Sequence, residues 1–70
     1  MSSSFDQGMI ESHKNRIESL QRSIEHSRRN LQLARDKSSK EGWRRDIKRD
    51  QDEIKRLRAE IARLRAANKK

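Results

Sequence analysis

Cysteine, proline and tyrosine are absent from this sequence, and its 70 residues include one tryptophan, one phenylalanine and two glycines. Without cysteine there are no disulfides, thiolate metal sites or thiol nucleophiles, and the redox compartment leaves no mark on the chain. Hydrophobic residues make up only 29%, too few for a deep core in one domain of this size. Nowhere do the roughly 18 consecutive apolar residues of a membrane span occur. The stretch Met1-Ser2-Ser3-Ser4-Phe5-Asp6 has neither a basic nor an apolar leader-like region, so a cytoplasmic location with no membrane partner is expected.

The equipment of catalysis is missing as well. There is no glycine-rich phosphate loop, no Ser-His-Asp candidate set and no HExxH motif. His13 and His26 stand thirteen apart, whereas a helical metal site needs two ligands one turn apart on one face. No catalytic residue, metal ligand or cofactor is expected, and the protein is not expected to be an enzyme.

What the chain does have is charge and period. Charged residues reach 43%, with a formal net charge of +8. Such a composition belongs either to disordered chains or to long solvated helices, and only the pattern separates the two. In the first half Ile10, Ile17, Ile24 and Leu31 recur every seven residues, with His13, Leu20, Ser27 and Ala34 three places on. This is a coiled-coil heptad with isoleucine at position a and a weaker position d. The second half repeats it, with Ile47, Ile54 and Ile61 at a and Trp43, Asp50, Leu57 and Leu64 at d.

The two heptads are out of phase. Leu31 and Ile47 are 16 residues apart, which rotates the stripe by roughly 160° from its earlier direction in a continuous helix. A break lets both stripes face each other. The fold expected is therefore all-α: an antiparallel coiled-coil helical hairpin, dimerising into a four-helix bundle to cover the flanks that a lone pair leaves wet.

The turn chemistry lies in Asp36-Lys37-Ser38-Ser39-Lys40-Glu41-Gly42. Ser38 and Glu41 have capping-box spacing, and Ser4 and Gln7 repeat it at the front. These signals predict a frayed tail over 1–5 and a hairpin over 6–70. Its first helix covers 6–37, the turn about 38–42, and the second helix runs from 39 or 43 to 68.

Two registers fit that hairpin. One sets Ile17 against Leu64, Leu20 against Ile61, Ile24 against Leu57 and Ala34 against Ile47, with the turn between Lys40 and Glu41 and Leu31 facing Asp50. A slip of one heptad instead sets Ile24 against Asp50, Ser27 against Ile47 and Leu31 on Trp43. The first register, which also sets Ser27 against Ile54, is favoured over the second, which places Asp50 against Ile24 and Ser27 against Ile47. In either case the expected seam and self-association surface is Ile10, Ile17, Leu20, Ile24, Leu31, Trp43, Ile47, Ile54, Leu57, Ile61 and Leu64. Trp43 is expected to fold over the hairpin end or to fill a contact between subunits, and His13 to end the seam opposite Asn68. The polar d residues Ser27 and Asp50 are candidate register devices.

The charge is uneven. Residues 1–37 carry seven basic and five acidic groups, and residues 38–70 carry twelve and six. Along the second helix Arg44, Lys48, Lys55, Arg58, Arg65 and Lys69 form a stripe at positions e and b, and Arg28 and Arg35 at e of the first helix border it. Like charges across a seam oppose pairing unless something anionic neutralises them. This face is the candidate site for a polyanion or an acidic partner.

The expected function is that of a small non-enzymatic helical interaction module, an adaptor, inhibitor or assembly component that binds a protein, plausibly acidic, and itself as a homo-oligomer. The alternative is a basic RNA- or DNA-binding hairpin that uses phosphate contacts from its second helix. No aromatic stacking platform or groove-reading motif accompanies the stripe, so such contacts would be weakly specific.

Overall fold

The structure, a computed structural model, describes residues 4–67. Two helices account for nearly all of it: α1 (Ser4–Leu33) and α2 (Lys37–Ala67). They pack against each other as a helical hairpin, a narrow rod with Cα extents of 54 × 14 × 12 Å.

The helix ends differ from those the sequence signals predict. Helix α1 already includes Ser4 and Phe5, so the expected tail lies in part within a helix, and its remainder, residues 1–3, is outside the described residues. At the other end α1 stops at Leu33 and α2 starts at Lys37, which moves the turn to Ala34, Arg35 and Asp36. The cause is the cap. Asp36 Oδ2 accepts a hydrogen bond from the Ser39 backbone N–H at 3.3 Å, the geometry of an N-cap satisfying an orphan donor of the first helical turn. The Ala34 N–H meanwhile closes the last turn of α1 on the Asn30 carbonyl at 2.9 Å.

One expectation falls with this: Ser38 and Glu41 lie inside α2 rather than capping it. Gly42, which the sequence places either in the loop or at the start of the second helix, is helical. No described residue has a positive φ, so the turn needs no glycine.

The turn also decides the register. Arg16 meets Glu53 and His26 meets Trp43. In the favoured register Trp43 would lie level with Ser38, roughly 18 Å along α1 from His26. The contacts fit the alternative, slipped by one heptad towards the chain's open end. Trp43 consequently does not cover the hairpin end; it sits six residues into α2, roughly 9 Å from the first residue of that helix.

All eleven expected seam residues are buried or half-buried. Leu20, Ile24 and Ile54 form the central cluster, with Ile17, Ile47 and Leu57 packed against it, and Ile10 and Ile61 are buried nearer the open end. The core is nonetheless thin. Among the described residues no large side chain is less than 2% exposed, and two of the most buried are polar, Ser27 at 3% and Asp50 at 4%. Phe5 and Leu33 point their apolar side chains into solvent.

Candidate interaction surfaces

A heptad places e beside a and g beside d on the helix surface, so a two-stranded hairpin has two long faces: an a/e face and a d/g face. The structure gives each face a groove, and the two differ in charge.

On the d/g face, Met9 and His13 of α1 line a groove of about 560 Å³ with Glu53, Leu57 and Glu60 of α2. Its charges are largely cancelled from within. Arg16 Nε donates to Glu53 Oε2 at 3.0 Å while its Nη2 lies 3.5 Å from Oε1, a two-pronged bond that ties the helices across the face. Arg49 lies 3.6 Å from Asp46, and Arg63 lies 3.5 Å from Glu60. Towards the turn, His26 meets the ring of Trp43 edge to face, centroids 6.1 Å apart at 84°, and His26 Nε2 and Asn30 Nδ2 share a hydrogen bond of 3.0 Å. Heptad spacing alone does not predict this Trp43 contact, which exists only in the slipped register.

Among the described residues two buried polar atoms have no hydrogen-bond partner, His13 Nε2 and Asp50 Oδ2. The other carboxylate oxygen of Asp50 has only Arg49 Nε at 3.6 Å, too long for a good hydrogen bond. Such a carboxylate opposes folding, because burying it without full hydrogen bonding sacrifices its hydration. The expected partner of His13, Asn68, lies outside the described residues.

On the a/e face, Gln21, Ile24 and Arg28 of α1 face Gln51, Ile54 and Arg58 of α2 across a groove of about 450 Å³, with Glu25 on the α1 rim. Arg44 and Lys48 line a shallower hollow on the outer side of α2 with Glu41 and Arg45. Of the eight cations singled out as a binding stripe, Arg28, Arg35, Arg44, Lys48, Lys55, Arg58 and Arg65 are all exposed, and none forms an ion pair among the described residues. Lys69 lies outside the described residues. The structure brings Arg28 and Arg58 to one groove; at position e Gln21 stands between Arg28 and Lys14 and Gln51 between Arg58 and Arg44, while Arg35 and Arg65 are the next e residues beyond them.

The two helix lips of this groove are unequal. Along α1 the e residues Lys14, Gln21 and Arg28 are accompanied three residues earlier by Glu11, Glu18 and Glu25 at b, and Arg35 by Gln32. Along α2 the e and b positions from Arg44 to Arg65 carry no acid.

Among the described residues no group of three or more His, Cys, Asp or Glu could hold a metal ion, and no helix is long and apolar enough to cross a membrane. No family model matches the chain, and no curated protein or solved structure is significantly similar to it.

Proposed function

We propose that this protein is a small non-enzymatic interaction module, a helical hairpin that associates with a second copy of itself and presents one cationic face to an acidic protein partner. The observation that carries the reading is the division of the surface. One long face has its charges largely cancelled within the chain, Arg56 being the exception; the other keeps a row of exposed cations without ion pairs among the described residues.

That division assigns the faces different tasks. Packing two copies through the a/e face would set arginine against arginine, which is unfavourable even in water. The d/g face, with its internal ion pairs and the half-buried Met9, Trp43, Leu57 and Leu64, brings no such repulsion, and covering it would complete a four-helix bundle around a thin core. Self-association supplies stability, and the cationic face stays free.

Circular dichroism and sedimentation equilibrium of the purified chain test this. The expected result is a strongly helical chain forming a discrete oligomer that Trp43→Ala weakens. A chain that is helical yet monomeric at every concentration would remove the self-association, and a chain without helicity would remove the whole reading.

The unpaired cations also favour a second reading, RNA or DNA binding through phosphate contacts from α2. A short generic duplex then co-sediments at low salt and is released steeply as salt rises, and changing Lys55, Arg58 and Arg65 to Glu abolishes its uptake.

A further inference from the structure

The geometry points to a specific occupant for the a/e groove: one amphipathic α-helix of a protein partner, carrying acidic residues along the edge that meets α2. This rests on the interaction-module reading above and gives the partner a shape as well as a charge.

Period is the first argument. Arg44, Gln51, Arg58 and Arg65 recur every seven residues beside Ile47, Ile54 and Ile61, and Lys14, Gln21, Arg28 and Arg35 do the same beside the isoleucines of α1. Positions spaced by a heptad lie roughly 10.5 Å apart along a helix axis. Acidic residues at one flanking position of a third coiled-coil helix have the same spacing, so each finds an arginine or glutamine donor in turn. The floor of the groove is Ile24 and Ile54, and the half-buried Ile17 and Ile47 packed against that cluster continue the apolar row at position a that the stripe of a third helix can meet.

The unequal lips are the second argument. A phosphate backbone is negative on every side, and laid along this groove it would run past Glu18 and Glu25 on the α1 rim. A helix can be negative on one edge and not on the other. The exposed cations of α2 without partners, set against the mixed row of α1, match that asymmetry and not a uniform polyanion.

The experiment is isothermal titration calorimetry of the full chain at about 0.15 M salt. The probe is a synthetic peptide of about four heptads, with leucine at both core positions and glutamate at both flanking positions. Its controls are a scrambled peptide of the same composition and a twin with lysine in place of glutamate. Expected are binding of the glutamate peptide at one per hairpin, roughly tenfold weaker binding of the scrambled form, and no heat from the lysine twin. Arg58→Glu with Arg65→Glu should weaken the glutamate peptide roughly tenfold. Arg29→Glu with Arg45→Glu, an equal charge change away from the groove, should leave it bound.

Equal binding of the ordered and scrambled peptides overturns the assignment, as does equal loss in both double variants. Displacement of the peptide by a single-stranded RNA of about 20 nucleotides, abolished by the Arg58 and Arg65 changes alone, gives the groove to nucleic acid instead. Circular dichroism of every variant separates the two levels. A folded, self-associating chain that fails to discriminate the peptides loses only the groove's occupant, whereas an unfolded one loses the module as well.

Discussion

Asp36 holds the first turn of α2. The Ser39 hydroxyl and then the Ser39 backbone N–H donate to its carboxylate, and these bonds, helped by its own N–H and the charge of Lys40, lower its pKa from the usual 3.8. A carboxylate whose pKa is lower folded than unfolded stabilises the fold above the unfolded value, and that stabilisation is lost as pH falls through the folded one. The group is fully exposed, so the effect is modest. Thermal melts of the wild type should therefore drop as pH falls below about 4, and Asp36→Asn should flatten that part of the profile. Gly42 behaves oppositely, because it occupies a helical position where a Cβ would meet nothing within 4 Å. Gly42→Ala should raise stability by about 0.5–1 kcal/mol, measured as a higher melting temperature. A turn at Gly42 would make the same change neutral or harmful.

At the scale of the helices, pattern and turn chemistry have separate jobs. The heptads of isoleucine and leucine reveal two helices and the faces they bury, and all eleven seam positions lie in the interface. They cannot reveal register, because a slip of seven residues returns every a position to a d position across the seam. Only the turn breaks that degeneracy, and the segment 36–42 offers two competing starts, Asp36 with Ser39 and Ser38 with Glu41. Glycine argues for the later one, but the carboxylate cap prevails and α2 begins four residues after α1 ends. The division of charge between the faces was legible from heptad positions alone; the contact of His26 with Trp43 was not, since it depends on the register. The slip leaves Asp50 in the seam with one oxygen unpartnered. Asp50→Leu should then stabilise the hairpin by about 1–3 kcal/mol, read from chemical denaturation. A loss of stability would mean that the carboxylate has a partner in the assembled protein.

For the whole molecule, net charge and its placement determine how solvent conditions act. A chain at +8 repels itself, and the exposed cations of the a/e face contribute repulsion that Glu11, Glu18 and Glu25 on the α1 side offset only in part. Salt weakens the Arg16 bond to Glu53 as well, but an exposed pair of this kind contributes only about 0.2–1 kcal/mol. Relief of self-repulsion is the larger effect. The melting temperature should consequently rise between about 0.01 M and 0.5 M sodium chloride, and a fall over that range would show that the cross-helix ion pairs dominate.

The turn at Ala34, Arg35 and Asp36 closes only one pole of the rod, so Ser4 and Ala67 stand side by side at the other. Tension applied through those two residues would part the helices like a zip. It would load Ile10 and Ile61 first, then the Arg16 bond to Glu53, then the Leu20, Ile24 and Ile54 cluster, each contact bearing the pull alone. A coiled coil pulled from opposite poles shares its load along the whole seam. This hairpin yields in steps, and anything seated across both helices would act as a clasp on the zip, raising the force needed to open it.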